Sequence, residues 1–349
     1  MEGSITLWRS VRVFVHVRSM RRLENLDGLR GLAALLVVAG HLCNVLGVLP
    51  GIFGDGGAQV GVQLFFCLSG FLMGMLYLNA PFGGAEVIDF YRRRIARVFP
   101  LYLVVVLASF FAPNFTAMRV LYPIDASNIA DHLLFIRGTS VLWTVPIEVQ
   151  FYALFGLIWF MFSINKAAST LLLAVTVPLL VILSDPLGAR LFFLSYFMIG
   201  IAVSLLPRVS SNAAFLTSFV LFFAGMPAVS HAIGVDLFSF WKSPLNLAAA
   251  GLLVYTAIAS PVATMTLGSA PARCLGAISY SVYLLHWPVM GQVARWISYK
   301  QDPALFALAS LSGTAVVASL TYWAIERPAR RLIMTRIAPQ TSLAVPAGV

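Results

Sequence analysis

Apolar residues fill most of the chain in long runs broken by Pro, Gly or clustered charges. Read against those breaks, the pattern predicts ten helical spans, near residues 28–47, 60–79, 98–112, 141–162, 168–184, 190–206, 213–231, 244–260, 274–294 and 303–325, the third being the shortest. Apolar runs of about 20 residues match a helix crossing the hydrocarbon core of a bilayer. No internal repeat is visible, which argues against a transporter built from inverted halves.

Composition strengthens this reading. Hydrophobic residues make up 60% of the 349 and charged residues only 10%, with a mean hydropathy of +0.90. Soluble domains carry about a quarter charged residues, so the chain is expected to be an all-α integral membrane protein, a single bundle of about ten transmembrane helices. No polar stretch is long enough to fold as a separate soluble domain. The expected division is a basic cytoplasmic arm at 1–25, a ten-helix membrane domain at 26–332 and a short cytoplasmic tail at 333–349. The start, "MEGSITLWRSVRVFVHVRSMRR", has an interrupted apolar pattern and no small-residue cleavage site, so it reads as a retained arm and not a signal peptide.

The net charge of +10 follows from topology. Sixteen Lys and Arg residues fall on the side of the N-terminus and six on the other, with Arg30 at a boundary left uncounted. Both termini are therefore expected in the cytoplasm. No contiguous basic face with interleaved aromatics exists, so nucleic acid is not an expected partner and membrane lipid is. Cys43, Cys67 and Cys274 lie in or beside apolar segments without metal-ligand spacing, and read as small buried residues with no disulfide framework.

Ionisable residues inside the spans are few, and such residues are costly enough to mark sites. "LDGLRGLAALLVVAGHL", residues 26–42, carries Arg30 and His41. Eleven residues make three helical turns plus about 20°, so both project from one face, about 16 Å apart along the axis. Glu148, in "LWTVPIEVQFYAL", is expected at the depth of His41 on a helix entering from the outside. An imidazole paired with a carboxylate is the usual form of a general base; a buried polar pair that only locks two helices is the alternative. "DFYRRRIARVFPLY", residues 89–102, places Arg94 and Arg97 in the loop after the second span, with a spacing that would put both on one helix face. Guanidinium forks bind phosphate oxygens, although a basic loop is also an ordinary membrane anchor. Ser69 in "VQLFFCLSGFLMG" suits helix packing or leaves room for a ligand. "ISYSVYLLHWPVM" adds Tyr283 and His286, and "IERPAR" adds Glu326, whose simplest reading is a helix-end ion pair with Arg327 and Arg330.

Taken together and in order, "LDGLRGLAALLVVAGH", "VQLFFCLSGFLM", "FYRRRIARVFPLY", "LWTVPIEVQFY", "SYSVYLLHWP" and "ERP" span residues 26–328. The set resembles the acyltransferase-3 family of integral membrane O-acyltransferases, which includes bacterial acetylases of O-antigens, exopolysaccharides and nodulation signals. The resemblance implies a multi-pass protein of the bacterial inner membrane that acylates a hydroxyl of a carbohydrate or lipid-linked glycan. It implies acyl-CoA, with acetyl-CoA first in line, as co-substrate, with no tightly bound cofactor and no metal. By the same resemblance His41 is the catalytic base, oriented by Glu148. Arg30, Arg94 and Arg97 hold the donor phosphates on the cytoplasmic side, and Ser69, Tyr152, Tyr283, His286 and Glu326 support the substrate pocket. The chain departs from the family at Gln63, where Asp is common, at Pro146, where Ser is common, and at Val149, where a second acid is common. It is also expected to lack the extracytoplasmic hydrolase-like domain of some members.

Direct attack of the acceptor on the thioester is the expected route, and a ping-pong route stays open with no residue marked as its nucleophile. Two other classes compete. A transporter or flippase would use the membrane charges for proton coupling, and an acyl-CoA-binding partner protein would bind without turnover.

Overall fold

The computed structural model describes residues 2–50, 52–115, 121–187, 189–236 and 242–335, and every regular element among them is helical. In chain order the first are α1 (Glu2–Leu46), α2 (Ala58–Tyr77), α3 (Gly84–Phe115), α4 (Ile129–Leu133), α5 (Thr144–Ile164), α6 (Lys166–Leu187) and α7 (Ala189–Ser204). The rest are α8 (Asn212–Phe223), α9 (Pro227–Ala232), α10 (Pro244–Ala257), α11 (Pro261–Thr266), α12 (Ala270–Val293), α13 (Pro303–Thr321) and α14 (Arg327–Thr335). A 3₁₀ turn at Ser140–Trp143 leads into α5, and a π-helical turn at Tyr322–Glu326 joins α13 to α14.

Each of the ten expected stretches is helical over most of its length. Among the described residues, six helical stretches are long and apolar enough to cross a membrane: Glu24–Leu46, Ala58–Tyr77, Gly84–Phe111, Ser140–Ile164, Lys166–Leu183 and Pro303–Thr335. Leu191–Ser204, Asn212–Phe223 and Pro244–Ala257 are shorter apolar helices. Helix α12 is 24 residues long but more polar, because it carries the run from Ser279 to His286. The protein is thus an all-helical membrane bundle. Of the basic residues used for orientation, Arg119 and Arg336 lie outside the described residues, as does the tail from 336 onward.

Two boundaries differ from expectation for one reason. Arginine is a good helix former, so a charged run that leaves the bilayer need not end the helix. Helix α3 starts at Gly84 and takes in Arg92–Arg97, so the cluster expected on a loop is helical. Helix α1 likewise runs back through the basic arm to Glu2. The cysteines correct a third expectation: Cys67 is buried, Cys43 is half-buried and Cys274, near the start of α12, is exposed.

The centre of the bundle is built where small residues let backbones touch. A Cβ at Gly276 of α12 would strike the Asp27 carbonyl of α1, and one at Gly70 of α2 would strike the Phe197 carbonyl of α7. Such residues set close helix approaches in lipid, where little hydrophobic force acts between helices. Contacts from α1 to α12 climb together, from Asp27 with Gly276 through Arg30 with Ser279 to His41 with His286, so these two helices run parallel. Helix α2 packs antiparallel to α1, Gly40 meeting Ala58 and Ala33 meeting Gly61.

The segment between α3 and α5 folds back onto the bundle. Tyr122 is buried and its hydroxyl donates to the Leu284 carbonyl of α12 at 2.6 Å. Val141 and Leu142 are also buried, and Tyr283 donates to the Val141 carbonyl at 2.7 Å. Helix α5 therefore begins inside the protein and not at its rim.

Candidate active site

Helices α1, α2, α3, α5 and α12 line a narrow cavity of about 50 Å³. Arg30, Arg94 and Arg97 line it together with Ser69, Glu148 and Tyr283, so six of the ten expected site residues share one space. Arg94 and Arg97 arrive on one face of α3, and Arg30 comes from the first third of the apolar part of α1. Thr144, Ser279 and Tyr280 complete the polar lining. These three stand inside motifs already singled out by sequence; what was missing was the packing that turns them inward.

The arginines are short of partners. Arg94 is only 9% exposed, and its Nε has no hydrogen-bond partner. Its guanidinium lies over the rings of Phe90 at 5.6 Å and Tyr152 at 5.8 Å. Arg30 donates to Ser279 Oγ at 3.3 Å and Asp27 Oδ1 at 3.4 Å, while its Nε is also buried and unpartnered. Among the described residues no ion pair joins Arg94 or Arg97 to a carboxylate. A buried cation without an anion costs several kcal/mol (of order 3–5 when a pair is broken), and the carboxylates near these three guanidiniums are Glu148 in the same cavity and Asp27 beside Arg30.

Glu148 is held by its neighbours and not by His41. It accepts from Tyr152 Oη at 2.6 Å and from Ser69 Oγ at 3.2 Å, both bonds reaching Oε1. The expected His41–Glu148 pair is therefore absent. Its depth was counted from an α5 that starts at the membrane surface, whereas the re-entrant segment starts α5 further in and carries Glu148 to the arginines.

His41 meets His286 instead. Nδ1 of His41 lies 2.8 Å from Nε2 of His286, and the rings stack at 8° with centroids 5.0 Å apart. His286 is fully buried, and its Nδ1 faces the Tyr283 carbonyl at 2.8 Å and the Val282 carbonyl at 3.2 Å. Carbonyl oxygens only accept, so Nδ1 of His286 carries the hydrogen and its Nε2, in the neutral ring, accepts from Nδ1–H of His41. That leaves Nε2 of His41 with the free lone pair. On α12, His286 stands one helical turn past Tyr283, which lines the cavity in edge contact with Phe65 at 5.9 Å.

Glu326 lies elsewhere. It accepts from Ser281 of α12, which also accepts from Thr321 at 3.1 Å, so it forms no helix-end ion pair with Arg327 or Arg330. The π-helical turn accounts for the change, since its extra residue rotates Glu326 toward α12. Among the described residues no three His, Cys, Asp or Glu side chains converge as a metal site.

An acyltransferase domain, that of the acyltransferase-3 family, matches residues 23–323. BcsY of Komagataeibacter xylinus, named for a membrane-bound transacylase activity, is 27% identical over 88% of this chain and 82% of its own. The O-acetyltransferase OatA of Staphylococcus aureus is 24% identical over 90% of this chain and 58% of its own. YrhL of Bacillus subtilis, named for peptidoglycan O-acetyltransferase activity, is 24% identical over 89% and 55%. The chain thus spans little more than half the length of the last two. No solved structure matches it. With the family match covering most of the bundle and every helix that lines the cavity, the chain belongs to the acyltransferase-3 family of membrane acyltransferases.

Proposed function

We propose that this protein transfers an acyl group, acetyl in the first instance, from acyl-CoA to a hydroxyl of a carbohydrate or lipid-linked glycan. The observation that carries the reading is the buried arginine cavity at the foot of the α1–α12 seam that also holds His41 and His286. Donor phosphates compensate Arg30, Arg94 and Arg97 at the cytoplasmic end. The pantetheine arm then follows the seam toward the histidines, past Phe65 and Tyr283.

His41 is the general base in this scheme and His286, in place of Glu148, is its positioning partner. Nε2 of His41 takes the proton of the acceptor hydroxyl as the oxygen attacks the thioester carbonyl. The new C–O bond forms, the C–S bond breaks, and the coenzyme A thiolate recovers the proton from His41. Buried surroundings favour this step by holding the groups in place and excluding water. Glu148 belongs to the donor cavity, where it fixes Ser69 and Tyr152 and balances part of the arginine charge. The family match favours group transfer over transport, and the acetyltransferase names of two relatives support acetyl as the group moved.

The test is release of free coenzyme A from acetyl-CoA by the purified protein in nanodiscs, supplied with a cell-envelope glycan extract. Acceptor-dependent release that disappears in His41→Ala supports the scheme. Release undiminished in that variant places the base elsewhere.

A further inference from the structure

A second and larger cavity, about 450 Å³, opens beside the first and shares Arg30, Arg97 and Tyr280 with it. Its far wall is the last helix. Arg327, Arg330 and Arg331 of α14 face the space, together with Tyr322 from the π-helical turn. Five guanidiniums thus stand against two carboxylates, Asp27 and Glu326, an excess of three positive charges. Glu326 is already engaged by Ser281. The Arg331 carbonyl accepts from Thr335 at 2.9 Å, but among the described residues the guanidiniums of Arg330 and Arg331 have no hydrogen bond or ion pair, and Arg327 lies over the Trp323 ring at 4.1 Å.

The wall is anchored in place. Arg92 of α3 donates to the Ile333 and Met334 carbonyls at 3.2 and 2.8 Å, tying the end of α14 to the helix that carries Arg94 and Arg97. Arg330 and Arg331 are exposed, as in an ordinary membrane anchor, but they stand at the mouth of a concave space that shares three lining residues with the donor cavity, and an aromatic ring faces the same space.

We propose that this outer cavity is a nucleotide subsite, in which Arg330 and Arg331 bind the phosphate groups of a nucleoside bisphosphate and Tyr322 offers a face to its base. The inference rests on the acyl-CoA reading above and sharpens it. The chain selects a donor that carries a nucleotide, coenzyme A with its 3′-phosphate, over thioesters that end at pantetheine or on a carrier protein. Arg30 and Arg97, at the junction, receive the diphosphate, and the arm continues into the inner cavity. The headgroup of an anionic lipid has related phosphate chemistry and is the competing occupant.

The test is calorimetric binding of coenzyme A and of 3′-dephospho-coenzyme A to the full chain in nanodiscs. It compares wild type with an Arg330→Ala/Arg331→Ala double variant, in zwitterionic and in anionic bilayers. One charge-assisted phosphate contact is worth about tenfold in affinity or more. Wild type is expected to prefer coenzyme A by about that factor, and the double variant to lose the preference, in both bilayers. Equal affinity of wild type for the two ligands overturns the subsite and leaves the acyl-CoA reading standing. A preference seen only in the zwitterionic bilayer assigns the cavity to lipid and overturns the proposal. No binding of either ligand overturns the subsite and the acyl-CoA reading together. A variant too unstable to purify is replaced by Arg331→Gln, judged by the same ratio.

Discussion

Nδ1 of His41 and Nε2 of His286 lie 2.8 Å apart in parallel, stacked rings, and the Tyr283 carbonyl fixes which nitrogen of the pair is free. In the proposed scheme this contact would do for His41 what a carboxylate does in other general bases, holding one tautomer and one orientation without adding a negative charge in lipid. Replacing His286 by Ala is expected to lower turnover by about 10²–10⁴-fold, the usual span of a general acid–base contribution. His286→Gln, which keeps a donor and an acceptor, is expected to recover part of it. Donor affinity should stay near wild type in both. Steady-state kinetics beside calorimetry checks the split, and a His286→Ala enzyme of normal turnover would remove the relay from the mechanism.

Glu148 gives a contrasting expectation. It bonds to Ser69 and Tyr152 inside the arginine cavity and does not touch His41. Glu148→Gln should therefore change the KM for the acyl donor while leaving the pH profile of turnover in place. A displaced acidic limb would instead reveal coupling between Glu148 and the base.

The placement of helices was legible in the sequence because apolar length and charge breaks report directly on a bilayer. The grouping of Arg30, Arg94 and Arg97 came from the family resemblance, and the three do share one cavity; Glu148 was expected beside His41 instead. Two things were not legible. The re-entrant segment around Leu142 carries no signal in hydropathy, so the depth of Glu148 was misjudged. The partner of His41 depends on α1 and α12 lying parallel with Gly276 against Asp27, a register that no local pattern encodes.

That register makes its own prediction. A methyl group at Gly276 meets the Asp27 backbone, which cannot yield as a side chain would. Gly276→Ala should cost about 1–3 kcal/mol, the range for overpacking a filled interior. The loss should be read as a lower unfolding temperature in detergent together with reduced turnover, as Arg30 leaves Ser279 and His41 leaves His286. Unchanged stability would contradict the close seam.

His132, on the short helix between α3 and α5, ties the re-entrant segment to α3. It is buried, with Tyr102 Oη 3.2 Å from Nδ1 and Thr139 Oγ1 3.2 Å from Nε2. Burial holds its pKa below the ordinary value of 6.5, and nearby Asp131 opposes this. The folded pKa lies below the unfolded one, so the neutral ring's contribution is complete above pH 6.5 and declines as the pH falls below that value. The unfolding temperature should drop between about pH 7 and about pH 5, and less steeply in His132→Gln. Parallel slopes for the two proteins would remove His132 as the cause.

The central claim is that the arginine cavity binds the donor and the histidine pair performs the transfer, two stations on one seam. It is tested most directly by binding of a non-cleavable acetyl-CoA thioether to wild type, His41→Ala and Arg94→Met in nanodiscs, set beside coenzyme A release from acetyl-CoA by the same preparations. The account predicts that His41→Ala binds the thioether as wild type does and releases no coenzyme A, while Arg94→Met folds normally and binds at least about tenfold more weakly. Loss of binding in His41→Ala equal to that in Arg94→Met, or undiminished binding in Arg94→Met, would contradict it.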